Sequence, residues 1–193
     1  MQQFDSKEEL YFSWWCEDLL DADVLLKYTR SESIPLFPGL HREYTEIKQL
    51  KTKTKEIPKK QCLIDVHGYK PDFDLTFNVR SDRHRLLVTP LRESEGARVD
   101  TFLIGADADG NAVEAVIEIK PAYDQNNMTR LFKINQKWTY AVLGKYVNLV
   151  ECGKLFSQTF TPARFFYTDS GRQKRTLNKW EPRTVKEFLF KNR

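Results

Sequence analysis

Cysteine and histidine are scarce, three of each in 193 residues. Cys16, Cys62 and Cys152 lie far apart with no CxxC pair, and His41, His67 and His84 show no ligand spacing. That argues against a structural zinc site and for reduced, partly buried thiols. Any metal bound here is expected to be a hard cation held by carboxylates. No apolar run approaches the ~20 residues that a membrane span needs, and there is neither an internal repeat nor a low-complexity stretch. The first ten residues, MQQFDSKEEL, are polar and acidic where a secretory leader is basic and then apolar, so a cytoplasmic location without a membrane partner is expected.

What the chain does have is 13% aromatic and 30% charged residues, enough for one domain, 1–193, with a full core. A net charge of +4 permits a polyanionic partner without requiring one.

Ser6 and Glu9 form an S-x-x-E capping box, which predicts a helix from near Ser6 to about Leu20 with Leu10, Trp14, Leu19 and Leu20 in the core. A strand is expected at 24–28 and a proline-rich loop at 31–39. Residues 44–60 are lysine-rich, and alternation in Ile47–Ile57 suggests an exposed ribbon or a mobile loop, either a solvated face or a phosphate-contacting one. Strands are then expected at 62–66, 73–79, 85–91, 99–105 and 112–120. The Asp-Ala-Asp-Gly-Asn run at 107–111 would join the last two as an antiparallel hairpin. A helix is expected over 126–145, capped by Asp124 or Asn126 and with Leu131, Trp138 and Val142 on its apolar face. Strands at 147–150 and 164–167 follow. A last helix starts at Thr184, where Thr184 and Glu187 make a second capping box. This order predicts an α/β (α+β) fold around one central sheet.

The chemistry concentrates in two short runs. In Val-Ile-Glu-Ile-Lys-Pro at 116–121, strand alternation puts Glu118 and Lys120 on one face and Ile117 and Ile119 on the other. A carboxylate and an ammonium on a partly buried face are expensive unless paired or used. An edge strand with a wet polar face is the plainer alternative. In Tyr-Lys-Pro-Asp-Phe-Asp at 69–74, the proline suits a strand start, with Asp72 at its mouth and Asp74 on the same face. Glu9, or its neighbour Glu8, adds an acid from the first helix. Phosphodiester hydrolysis needs charge neutralisation, an activated water and a stabilised leaving oxygen. Two carboxylates on adjacent strands can hold a magnesium ion, and a nearby lysine can orient the water or stabilise charge.

The order P-D, then E-x-K, behind a helix carrying a glutamate, resembles the PD-(D/E)xK nuclease superfamily. FDSKEELYF, YKPDFDL and IEIKPAYDQNNMTRLFKINQKWTYAVLGKYVNLVE resemble the corresponding segments of small phage-encoded and TnsA-like endonucleases, from Phe4 to the Thr161 region. The resemblance implies a restriction-endonuclease-like core, a central mixed sheet flanked by helices. It implies Asp72 and Glu118 as ligands of Mg2+ (or Mn2+), Lys120 as the catalytic lysine, and Glu9 and Gln136 as further site residues. Tyr140 completes a Q-x3-Y pattern with Gln136 on the helix after the catalytic strand. The separation of Asp72 from Glu118 is long for the family, which implies an inserted hairpin or the use of Asp100 instead. Proline stands after Lys120 where relatives often carry glycine.

Arg130, Lys133 and Lys137 share a helical face that can follow a phosphate backbone or simply be solvated. Arg172, Lys174, Arg175 and Lys179 cluster beside Trp180. The partner implied is DNA, with RNA open and room for a homodimer; a phage-encoded protein would act in a bacterial host. The alternatives are a Holliday-junction-type resolvase of the same superfamily, a non-catalytic DNA-binding or scaffold protein on a nuclease fold, and an ordinary α+β domain.

Overall fold

The computed structural model describes residues 4–91, 102–104, 113–121, 128–167, 171–172 and 182–191. In chain order they form α1 (Lys7–Asp21), β1 (Leu25–Arg30), β2 (Ile34–Phe37), β3 (Leu40–Gln49), β4 (Thr54–Ile64), β5 (His67–Tyr69), β6 (Phe73–Phe77), β7 (Val88–Pro90), β8 (Phe102–Ile104), β9 (Val113–Ile119), α2 (Met128–Leu143), β10 (Val147–Val150), α3 (Cys152–Gln158) and α4 (Val185–Lys191). This is a mixed α+β chain with four helices among the described residues. It divides into two compact units, residues 33–70 and the flanking segments 1–32 with 71–193. Among the described residues no helix is long and apolar enough to cross a membrane.

In the larger unit, the Ser6 hydroxyl accepts from the Glu9 N–H at 3.1 Å and donates back to the Glu9 carboxylate at 3.1 Å, so α1 begins at the expected capping box. Its buried face is Phe12, Trp15, Cys16 and Leu19. Of the expected core residues only Leu19 is fully buried; Leu10 and Trp14 are half-buried and Leu20 packs at the margin. The helix is turned so that Trp15 lies between Phe12 and Phe160, with its indole N–H donating to Thr159 at 3.1 Å. That arrangement buries more ring area than Trp14 and Leu10 would. Asp23, at φ 57°, makes the sharp turn into β1 and accepts from the Asn78 amide at 3.0 Å.

The four-stranded sheet has the order β1–β6–β9–β10. β6 is antiparallel to both β1 and β9, and β10 is parallel to β9, so the sheet is mixed. Phe73, Leu75 and Phe77 of β6 and Ala115, Ile117 and Ile119 of β9 face the core shared with α1. Alternation sends Asp74, Thr76, Val116 and Glu118 to the opposite face. In α2, Phe132 and Thr139 are buried, and the Gln136 amide donates to the Val147 carbonyl at the start of β10.

Several expectations need correcting. Leu131, Trp138 and Val142 of α2 are exposed, and the buried row is Phe132, Asn135 and Thr139. α2 meets the sheet at β10, where the Gln136 amide donates to the Val147 carbonyl, and that contact turns Phe132, Asn135 and Thr139 inward. Residues 85–91 form a 3-10 turn at Asp82–Leu86 and then β7. β8 does not pair with β9; it runs parallel to β7, with Val88 opposite Phe102, because β6 and β10 already occupy both edges of β9. The expected inserted hairpin is therefore a parallel pair in its described part, and the turn at 107–111 lies outside the described residues. The expected strand at 164–167 is a 3-10 turn, Ala163–Phe166, whose Phe165 packs edge-on against Tyr11 and Phe156. α3 was not anticipated; its second residue is glycine, but Leu155 and Phe156 are buried and fix it. α4 starts as expected, with the Thr184 N–H and hydroxyl donating to Glu187 at 2.8 and 3.0 Å.

In the smaller unit, the expected loop at 31–39 contains β2, which pairs antiparallel with β5 and so is a strand despite Pro35. A two-stranded pair has free edges on which a residue without an N–H is tolerated. β3 and β4 form a long antiparallel hairpin, extending the expected ribbon in both directions and absorbing the strand expected at 62–66. Gly39, at φ 85°, lies where a Cβ would come within 3.2 Å of the Ile64 carbonyl.

Candidate active site

β6 follows Pro71-Asp72, and β9 ends one residue before Lys120. Pro71 has no N–H to give to a ladder, so the strand begins after it. Phe73 pairs with Ile117, and one further step along this register sets Asp72 opposite Glu118. The Asp72 N–H donates to the Ile117 carbonyl at 2.9 Å, and its Oδ2 accepts from the Ile119 N–H at 2.6 Å. These two bonds flank Glu118 and hold the aspartate at the end of the ladder.

Glu118 is 7% exposed. The Lys120 ammonium lies 2.6 Å from its Oε1, as expected for i and i+2 on one strand face. Beyond the end of β9, the Lys120 N–H still donates to the Val150 carbonyl of β10 at 2.9 Å. Lys120 is thus held by its backbone as well as by its ion pair.

Burial pushes the Asp72 carboxyl up to about 6. The Ile119 N–H opposes this; the negative charges of Glu118 and Glu9 add to it, and the Lys120 ammonium subtracts. Asp74, on the same face, is also raised by burial. Closely set carboxylates with a raised pKa at the end of a sheet are a recognised mark of functional sites, though ion-pair networks can produce the same.

Glu9 reaches this end of the sheet from the first turn of α1. Its carboxylate is already engaged by Ser6, by the Asp5 N–H and by an ion pair with Arg30. Arg30 also binds Asp5 at 2.9 Å and lies 5.0 Å above the Phe73 ring. Arg30 went unremarked in the sequence. Its only signal there is a lone cation closing a strand. Glu8 is half-buried, and its carbonyl accepts from the Cys152 thiol at 3.2 Å.

The Gln136 amide donates to the Val147 carbonyl and ties α2 to β10; Val147 pairs with Val116, two residues before Glu118. Arg130, Lys133, Lys137 and Tyr140 are exposed on α2. Arg172 is exposed too. Lys174, Arg175, Lys179, Trp180 and Asp100 lie outside the described residues.

No family model, curated protein or solved structure matches this chain. The site therefore stands on its own geometry. Among the described residues no three His, Cys, Asp or Glu side chains converge as a ligand set. The remaining donor set is the facing pair, Asp72 and Glu118. Magnesium commonly uses one or two protein carboxylates and keeps several waters, so this pair fits such an ion. Two like charges facing each other at low solvent exposure are also the arrangement that a divalent cation relieves.

Proposed function

We propose that this chain is a metal-dependent endonuclease hydrolysing phosphodiester bonds in DNA, built on a restriction-endonuclease-like core of the PD-(D/E)xK type. The observation that carries this reading is the meeting of Asp72, Glu118 and Lys120 at one end of adjacent strands. Asp72 faces Glu118, and Lys120 lies 2.6 Å from it. A mixed sheet with α1 packed on its core face and α2 joined to β10 supports the fold assignment.

Asp72 and Glu118 would hold the magnesium ion. Bound there, the ion would lower the pKa of a water and neutralise charge on the phosphate. Asp72 must be ionised to act as a ligand, and its carboxyl, near 6, is so at neutral pH. The Lys120 ammonium, 2.6 Å from Glu118, can hold the attacking water or a phosphoryl oxygen. Arg30 draws the Glu9 carboxylate into an ion pair and so limits the negative charge facing Asp72. Exposed Arg130, Lys133 and Lys137 on α2 supply sequence-neutral phosphate contacts.

The test is a panel of labelled duplex, single-stranded and four-way-junction DNA, incubated with magnesium, manganese or chelator. Cutting that needs metal and is lost in Lys120→Ala and Glu118→Ala, both still folded by circular dichroism, is the expected result. A preference for the junction would select the resolvase reading. Cutting that survives chelator or either substitution would overturn the proposal.

A further inference from the structure

The hairpin of β3 and β4 carries the chain's entire net charge. Residues 40–64 contain seven of the 31 lysines and arginines and three of the 27 acids, a formal +4, so the rest of the chain balances at 24 of each sign. Both strands are exposed along nearly their whole length, with only Ile57 half-buried.

The charge is also one-sided. Directly paired residues share a face of an antiparallel ladder. The pairs Arg42–Gln61, Tyr44–Lys59, Glu46–Ile57 and Lys48–Lys55 therefore form one face. The pairs Glu43–Lys60, Thr45–Pro58, Ile47–Glu56 and Gln49–Thr54 form the other. The first face holds Arg42, Lys48, Lys55 and Lys59 against the single acid Glu46, whose carboxylate is 2.6 Å from Lys59. The second holds Lys60 against Glu43 and Glu56. Lys51 and Lys53 add two more cations in the turn between the strands. Lys48 directly opposite Lys55 is an unfavourable like-charge pair, and a face without a partner gains nothing from it.

We propose that this basic face is a docking surface for duplex DNA, the ribbon lying in the major groove. A two-stranded ribbon fits that groove, and ten paired residues span about 30 Å, close to one helical turn. Tyr44, 42% exposed amid the cations, offers an amphipathic ring to sugars or bases. The choice of DNA over another polyanion rests on the reading of the Asp72, Glu118 and Lys120 site; the charge asymmetry does not.

The experiment is fluorescence anisotropy of a labelled 20-base-pair DNA duplex with the full chain, in chelator, from 50 to 200 mM KCl. Lys48→Ala/Lys55→Ala is expected to weaken binding at least tenfold and to lower the slope of log affinity against log salt by about two. Lys60→Ala, on the other face, is expected to stay within twofold of wild type. Binding is read in chelator, where no metal-dependent cutting takes place, so failed catalysis and failed docking are told apart. Removing a Lys–Lys repulsion leaves the fold intact, which an unchanged or higher melting temperature would verify. Equal losses from Lys60→Ala and the double variant, or no loss from either, would overturn the proposal. So would equally tight Lys48- and Lys55-dependent binding to a duplex RNA, whose deep, narrow major groove does not admit the ribbon.

Discussion

The ammonium of Lys120 lies 2.6 Å from the carboxylate of Glu118, two residues back along the same strand. Both side chains are largely shielded from water, at 18% and 9% exposure. Removing one partner of such a pair leaves an uncompensated charge, which costs about 3–5 kcal/mol when buried. Partial access of water to Lys120 lowers that figure. Glu118→Ala and Lys120→Ala are each expected to lose about 2–3 kcal/mol in urea unfolding. Glu118→Gln combined with Lys120→Met should lose less than the sum of the corresponding single changes. Strict additivity would show that the two groups are not coupled.

Asp72 ties stability to pH. Its carboxyl is raised to about 6, so the fold prefers it protonated. Stability from this group is complete below its unfolded value, about 4, and is lost as pH rises through about 6. In chelator, Asp72→Asn should leave the melting temperature nearly unchanged at pH 4. At pH 8 it should raise stability by about 1–2 kcal/mol, a figure reduced for partial exposure. A substitution that destabilises equally at both pH values would show that the carboxylate's bond to the Ile119 N–H matters more than its burial.

Arg30 holds Glu9 and Asp5 and covers Phe73. Arg30→Ala should cost about 2–4 kcal/mol, because it strands the buried Glu9 carboxylate. Arg30→Ala with Glu9→Gln should recover part of the loss in thermal melts. Ser6→Ala, which removes only the cap, should cost about 1 kcal/mol.

The exposed cations of α2 are expected to act on binding rather than on stability. Lys133→Ala and Lys137→Ala should each change unfolding free energy by less than about 0.5 kcal/mol. Each should flatten the salt dependence of duplex DNA binding by about one unit of slope. An unchanged slope in both would remove α2 from the interface.

Much of the candidate site was legible because it depends on local rules. The two-residue period of a strand sets Glu118 and Lys120 on one face, proline starts the strand at Asp72, and S-x-x-E caps α1 at Ser6. The strand at 147–150 was equally plain, and it is observed with those bounds. Pairing was not legible. The Asp-Gly turn suggested residues 99–105 as the neighbour of β9, whereas β6, distant in sequence, takes that edge. Nor could spacing choose which stripe of α2 meets the sheet, since Leu131–Trp138 and Phe132–Thr139 recur at the same interval. Arg30 was invisible because an ion pair across 21 residues leaves no local pattern.

The most direct measurement is the nicking of supercoiled plasmid DNA by purified protein over time at pH 8, with magnesium. Wild type should nick, chelator should stop it, and Lys120→Met should be inactive while melting above the assay temperature. Nicking by Lys120→Met at the wild-type rate, or none by wild type with magnesium or manganese, would contradict the assignment of Asp72, Glu118 and Lys120 to catalysis.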